Sequence, residues 1–74
     1  MKKINPDSTL YEIIKENPGL KEVLYNLGFS GVKNEAMLNT HAKIMTLRKG
    51  SEYLNIDKEN IKEQFKKAGF ELEF

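Results

Sequence analysis

The sequence predicts an all-α domain, a small bundle of about five short helices arranged as two helix-corner-helix units. Three observations predict it. Apolar residues recur at the three- and four-residue spacing of a helix face, two Gly-Phe pairs stand where helices would end, and cysteine is absent. A chain of 74 residues without disulfides has room for one core. We therefore expect residues 1–74 to form a single domain held together by helix packing.

The first unit is predicted from a capping box and two apolar stripes. Thr9 and Glu12 have the spacing at which a hydroxyl and a carboxylate each satisfy a free N–H group at a helix start, so a helix should run from about Leu10 to Glu16. A proline fits the first position of the next helix, predicted for Pro18 to Leu27, and Gly28 should end it in a left-handed conformation. The stripes are Leu10, Ile13 and Ile14, then Leu20, Val23, Leu24 and Leu27.

The middle of the chain has weaker periodicity. A loop is predicted over Ser30 to Lys33 and a short helix over Glu35 to Leu38, and no regular pattern follows until Thr46. This threonine can cap a helix over roughly Leu47 to Leu54. A glycine in a helix costs about 1 kcal/mol relative to alanine, so a buried Gly50 there would indicate a close contact between helices.

The last helix has the clearest start. Asp57 is a strong capping residue, and the apolar residues Ile56 and Ile61 on either side of it have the spacing of a hydrophobic staple. The helix should cover Lys58 to Ala68 and close at Gly69 in a Schellman motif.

The two ends of the chain leave open a short terminal β-ribbon. From Phe70 to Phe74 apolar and acidic residues alternate, which is the period of a strand exposed on one side. The segment Lys2-Lys3-Ile4 could pair with it, lysines facing glutamates. A ribbon of two strands is marginal unless it packs on helices.

The two units echo each other. Thr9-Leu10 opens a helix, a corner and a second helix that ends in Gly28-Phe29, and Thr46-Leu47 opens the same series ending in Gly69-Phe70. Because neither unit buries its apolar stripe alone, we predict that the two pack face to face. Chance similarity between two short helical hairpins stays open as the alternative.

Charge and hydropathy exclude several partners. With 12 Lys and Arg against 11 Asp and Glu, the net charge of +1 supplies no field for nucleic acid or an anionic membrane. The helix Pro18 to Leu27 carries only Lys21 against Glu22, which suits a DNA groove poorly. No apolar run approaches the roughly 20 residues of a membrane span, and residues 1–6 lack the apolar stretch of a signal peptide. We therefore expect no nucleic acid, no membrane and a cytoplasmic location.

The sequence contains no recognisable catalytic or metal-binding motif. Without cysteine a thiolate site is ruled out, and His41, the only histidine, has no partner at a metal-ligand spacing. A partly exposed or hydrogen-bonded helix histidine is the alternative role. No phosphate loop or nucleophile motif occurs. We predict no enzyme activity, no metal and no cofactor.

A local asymmetry of charge indicates a candidate binding site. Between Ala36 and Ser51 no acidic residue occurs, and the N–H groups of a helix start at Thr46 could hold a phosphate, a carboxylate or an acidic partner segment. An ordinary basic turn, balanced by acids elsewhere in the fold, is the alternative. The candidate binding residues are Asn39, Thr40, His41, Lys43, Met45, Thr46, Arg48 and Lys49.

These patterns resemble a known family, and the residues that carry the resemblance include Gly28-Phe29, Met37-Leu38-Asn39-Thr40, Met45-Thr46-Leu47, Ile56-Asp57 and Gly69-Phe70. From about Ile4 to Phe70 the chain resembles domain of unknown function 1858, to which the N-terminal domain of iron-sulfur cluster repair proteins is related. Many relatives place Cys-x-x-Cys or Cys-Cys just after the glycine that ends the second helix. Here that stretch, residues 29–32, has no sulfur, so thiol redox chemistry does not transfer to this cysteine-less form. The resemblance implies a helical bundle with an accessory role.

Two hypotheses of function follow. The leading one is a non-catalytic accessory or protein-interaction domain that docks on a separate protein or self-associates through the basic turn and its neighbouring methionines. The alternative is a small-molecule or cofactor sensor whose ligand lies between the two helical units, near Tyr25, Phe29, His41 and Tyr53.

Overall fold

The computed structural model describes residues 2–74, which form five α-helices, two short 3-10 helices and one ribbon of two strands. The predicted bundle of about five short helices is confirmed. In chain order the elements are β1 (Lys2–Ile4), α1 (Leu10–Glu16), α2 (Leu20–Leu27), a 3-10 helix (Ser30–Lys33), α3 (Glu35–Asn39), a second 3-10 helix (His41–Lys43), α4 (Leu47–Tyr53), α5 (Lys58–Lys67) and β2 (Phe70–Leu72). No helix among the described residues is long and apolar enough to cross a bilayer.

The two helices with the strongest capping signals have the predicted bounds, or nearly so. At α1, Thr9 Oγ1 accepts from the Glu12 N–H at 3.1 Å, and Glu12 Oε1 accepts from the Thr9 N–H at 3.2 Å, which completes the capping box. At α5, Asp57 Oδ1 accepts from the Glu59 N–H at 3.0 Å. The helix ends at Lys67, one residue before the predicted end, and Gly69 follows with a φ of +93°.

The second helix starts two residues later than predicted. Pro18 lies in a turn in which the N–H of Leu20 donates to the carbonyl of Asn17 at 2.9 Å and the N–H of Lys21 donates to Pro18 at 3.2 Å. Because both bonds span three residues rather than four, the turn is tighter than an α-helix and α2 begins only at Leu20. Gly28 ends α2 with a φ of +119°, as predicted.

The segment between α2 and α4 is more regular than expected. The predicted loop Ser30–Lys33 is a 3-10 helix that buries Val32, and a second 3-10 helix buries Ala42. Thr46 caps α4 through its side chain, which accepts from the Lys49 N–H at 3.1 Å. α4 ends at Tyr53, one residue short of the prediction.

The two helical units pack face to face, as predicted. Side chains of α2 and α5 meet in the centre of the molecule, where Leu20, Leu24, Ile61 and Phe65 are all 0% exposed. Val23, on the same stripe of α2, is half-buried against this core. Burial of apolar surface between the units is therefore the main source of stability.

The starts of α1 and α4 lie side by side. Thr9 and Thr46, the two capping residues, form an isolated antiparallel bridge. The Leu10 N–H donates to the Met45 carbonyl at 2.9 Å, and the Leu47 N–H donates to the Ser8 carbonyl at 3.2 Å. The residue after each capping threonine thus donates to the residue before the other one, so the two positions that the sequence echo equates have equivalent neighbours.

The terminal ribbon is also present. β1 and β2 run parallel, with Lys2 opposite Phe70, Lys3 opposite Glu71 and Ile4 opposite Leu72. Only one lysine therefore faces a glutamate. Ile4 and Leu72 are buried in the core, which supplies the packing that an isolated ribbon lacks.

Candidate functional site

The basic residues of the predicted site are dispersed, and its arginine, Arg48, is paired with a carboxylate from a segment distant in sequence. Arg48 Nε lies 2.9 Å from Oδ1 of Asp7, a residue of the turn before α1. The hydrogen bond from Arg48 to this carboxylate raises the pKa of the guanidinium further above its usual value. For Arg48 the structure therefore supports the alternative of a basic turn balanced by an acid elsewhere in the fold.

The anion site expected at the start of α4 assumed free N–H groups, and in the structure these groups already have partners. The N–H of Leu47 donates to Ser8, that of Arg48 donates to the Pro6 carbonyl at 2.9 Å, and that of Lys49 donates to the Thr46 hydroxyl. A phosphate or carboxylate would have to displace these protein acceptors.

Of the other predicted residues, some are exposed to solvent and two line a surface groove. Asn39 and Thr40 are exposed, and the Thr40 hydroxyl donates to the carbonyl of Ala36 at 2.7 Å. Lys43 Nζ lies 4.9 Å from the centre of the Tyr11 ring. Lys49 is exposed on α4. His41 and Met45, in contrast, line a surface groove.

This apolar groove lies between the segment from the first 3-10 helix to the second and the C-terminal half of α4. Its volume is about 250 Å³. The floor consists of buried side chains, and the rim is partly exposed. The lining residues are Leu10, Phe29, Ser30, Gly31, Val32, Met37, His41, Ala42, Met45, Gly50, Tyr53 and Leu54.

Two glycines allow Phe29 to form part of the floor of the groove. Gly28 turns the chain at the end of α2, and the N–H of Phe29 then donates back to the carbonyl of Leu24 at 3.0 Å. This turn directs the Phe29 side chain under α4, where Gly50 leaves space for it. A Cβ at position 50 would lie 3.0 Å from Phe29 Cε1 and 3.4 Å from Met45 Cγ. The sequence predicted that a buried Gly50 would mark a close contact between helices, but the contact is with Phe29 and Met45, neither of which lies in a helix.

The rim of the groove exposes large apolar side chains. Met37 is 39% exposed, Leu54 45% and Tyr53 80%. The lining contains no carboxylate, and His41 is its only basic side chain. Within residues 2–74, no three His, Asp or Glu side chains lie close enough together to hold a metal ion. The groove can take up apolar groups, and His41 can offer one hydrogen bond or, when protonated, one charge.

Sequence reasoning identified only part of this groove. Three of the four residues proposed for a ligand between the units, Phe29, His41 and Tyr53, line it, whereas Tyr25 lies elsewhere with its ring 4.2 Å from Lys33 Nζ. The groove residues that the sequence did not indicate as a site include Ser30, Val32, Ala42 and Leu54. The buried glycine of α4 was the available signal, since it implied that another segment approaches that helix.

The comparisons with known proteins bear on the fold and the family. The sequence profile of the family Domain of unknown function (DUF1858) matches residues 4–62. The chain belongs to this family. Every residue that lines the groove lies within the matched part of the DUF1858 domain, and β2 lies outside it. The sulfur-free stretch of residues 29–32 forms one wall of the groove.

A solved structure shares the fold of this DUF1858 domain. It is the crystal structure of the conserved domain protein from Streptococcus pneumoniae TIGR4, with a TM-score of 0.91 and 25% sequence identity over 99% of this chain and 92% of that chain. None of the curated proteins matches the sequence.

Proposed function

We propose that this DUF1858 domain is a non-catalytic accessory domain that binds a protein partner through the apolar groove. The observation that carries the proposal is the row of exposed apolar side chains on the rim, Met37, Tyr53 and Leu54, above a floor without a carboxylate. Soluble domains rarely expose contiguous apolar surface, and where they do, that surface is usually an interaction site. Methionine adapts its shape to a partner, and tyrosine is enriched among the residues that dominate binding energy.

The size and chemistry of the groove favour a protein over a small molecule. Pockets that enclose drug-sized ligands have volumes of about 300 to 1,000 Å³ and a few converging polar groups. This groove has about 250 Å³, opens to solvent, and offers only the side chains of Ser30, His41 and Tyr53 as polar groups. It suits one or two apolar side chains of a partner better than a cofactor. Location in the cytoplasm stays a prediction from composition.

The test places a photoreactive amino acid at Tyr53 and, as a control, at Lys66 on α5, in the cells that make the protein. Both positions are exposed, and Lys66 does not line the groove. We expect a discrete cross-linked protein from position 53 and not from position 66. The same products from both positions, or none from position 53, would contradict the proposal.

The captured protein must then recognise the groove in purified form. Tyr53→Ala should weaken binding at least about tenfold, because an exposed aromatic rim residue contributes to binding without supporting the core. Ile44 is 79% exposed and lies outside the groove, so Ile44→Ala is the matched control and should bind like the wild type. Equal loss in both variants would place the interface elsewhere.

A small-molecule sensor is the second candidate, because Phe29, His41 and Tyr53 do meet at one groove. A ligand that binds only the folded state raises the melting temperature. Melts with haem, flavins and nucleotides distinguish this candidate from the first. A shift that Tyr53→Ala abolishes would favour the sensor, and no shift with any of these ligands would remove its support.

A further inference from the structure

The charges beside the groove are predominantly positive, and two of them have no acidic partner. The ion pairs among residues 2–74 include Lys33 with Glu22 at 3.0 Å but do not include Lys43 or Lys49. Neither lysine lines the groove: Lys49 lies one helical turn before the lining residue Tyr53 on α4, and Lys43 follows the lining residue Ala42, with its Nζ 4.9 Å from the centre of the Tyr11 ring.

Nearby carboxylates offset this charge only in part. Glu52 precedes Tyr53 on α4, but its Oε2 lies 3.1 Å from Lys58 Nζ. Glu35, in the first turn of α3, is the acidic residue nearest in sequence to Met37. Five lining residues, from Met37 to Gly50, come from the acid-free segment 36–51. The segments that form the groove therefore carry more unpaired cations than unpaired anions.

A second copy of the chain is a poor occupant for such a groove. In a symmetric dimer each groove would meet the same surface of its partner, so Lys43 and Lys49 would approach lysines and find no carboxylate in the lining. A head-to-tail contact, in which the groove of one copy meets α5 of another, also lacks free carboxylates. Glu59 and Glu63 of that helix already lie 3.9 Å and 3.8 Å from Lys62 and Lys67.

We infer that the groove binds an acidic amphipathic segment of another protein, one that inserts an apolar side chain and places carboxylates against Lys43 and Lys49. This inference rests on the proposed function and adds the chemistry of the partner. An amphipathic helix presents apolar anchors at three- and four-residue spacing, and acidic residues beside them would face the basic rim. Charge complementarity of this kind selects partners and accelerates their association.

Two synthetic helical peptides with the same leucine and phenylalanine anchors provide the test. One carries glutamate at the flanking positions and the other carries lysine. Fluorescence anisotropy with the full chain should show about tenfold tighter binding of the glutamate peptide at low salt, with the advantage shrinking as salt screens the charges. Amide shifts on binding should centre on Met37, Met45 and Tyr53.

Variants separate the charge effect from the apolar one. Lys43→Gln with Lys49→Gln should abolish the difference between the peptides. The matched pair Lys21→Gln with Lys66→Gln should preserve it, because these lysines lie on α2 and α5, neither of which contributes a residue to the groove. Tyr53→Ala should weaken the binding of both peptides.

The possible failures are distinguishable. Equal binding of the two peptides, or tighter binding of the lysine peptide, overturns the acidic partner and leaves the interaction groove in place. Binding of neither peptide up to about 1 mM, together with no cross-link from position 53, overturns the proposed function as well. A dimer in sedimentation that the glutamate peptide dissociates would show that a second copy occupies the groove, against the inference.

Discussion

Gly50 and Gly19 differ in what surrounds them, and this difference predicts opposite effects of alanine. Alanine is better than glycine in a helix interior by about 1 kcal/mol, but overpacking a buried site costs about 1 to 3 kcal/mol. Since a Cβ at Gly50 would lie 3.0 Å from Phe29, we expect Gly50→Ala to lower the free energy of unfolding by about 1 kcal/mol.

Gly19 serves as the control for this substitution. It has a φ of −63°, and a Cβ there would meet nothing within 4 Å. Gly19→Ala should therefore raise the free energy of unfolding by about 0.5 kcal/mol, because it restricts the unfolded chain. Urea denaturation measures both. A Gly50→Ala variant more stable than the wild type would show that Phe29 and Met45 move apart freely.

The capping box gives Glu12 a pH-dependent role. The hydrogen bond from the Thr9 backbone N–H, and then that from the Thr9 hydroxyl, lower the pKa of the Glu12 carboxyl below its ordinary value. A carboxyl with a lower pKa in the folded state stabilises the fold above its unfolded pKa. That stabilisation is lost as the pH falls through the folded pKa.

Acid unfolding of the wild type and Glu12→Gln tests this role. Glutamine keeps the geometry of a capping box but does not titrate. We expect the stability of Glu12→Gln to fall less between neutral and acidic pH than that of the wild type, and NMR titration should give Glu12 a pKa below its ordinary value. Thr9→Ala should return this pKa only in part, because the backbone bond remains. Parallel pH profiles of the wild type and Glu12→Gln would disprove the role.

At the scale of elements, the start of α4 depends on one side-chain cap and on the turn before α1. The Thr46 hydroxyl accepts from the Lys49 N–H, and the other two N–H groups of the first turn reach the carbonyls of Ser8 and Pro6. Thr46→Ala should lower the free energy of unfolding by about 1 kcal/mol, since it removes only the cap. Thr46→Ser keeps the acceptor and should cost less. If urea denaturation finds the two variants equal, the cap does not stabilise α4.

The sequence predicted best those elements whose starts are marked by capping residues close to them in the chain. The starts of α1 and α5 followed from Thr9, Glu12 and Asp57, whose side chains bond to backbone groups two or three residues away. The start of α2 was wrong because a tight turn around Pro18 uses the same residues as a first helical turn. The 3-10 helices were missed because tertiary burial of Val32 and Ala42, rather than any periodic pattern, stabilises them.

The candidate site was less predictable than the helices because its parts are distant in sequence. Its lining runs from Leu10 to Leu54, and the acid that neutralises Arg48 lies 41 residues away. The acid-free segment supplies five of the lining residues, and two of the candidate binding residues, His41 and Met45, are among them. Composition alone could not show that the first N–H groups of α4 would be occupied from the turn before α1.

At the scale of the whole molecule, the packing of α2 on α5 implies that the two helical units unfold together. Each unit supplies half of a core in which Leu24 and Ile61 are 0% exposed, and the bridge between Thr9 and Thr46 joins the units again at the helix starts. Neither half retains a buried face when the other is lost. A substitution in one unit should therefore destabilise both by the same free energy.

Ile61→Val tests this coupling without unfolding the chain. Loss of one buried methyl group costs about 0.5 to 1.5 kcal/mol, which is small beside the total stability expected of such a domain. The slowest amides of α2, in the other unit, should then exchange about 2- to 10-fold faster, and those of α5 should accelerate by the same factor. Ile44→Val, at an exposed position, should change neither. Acceleration confined to α5 would mean that the second unit opens by itself, and that the first unit retains a stable core without it.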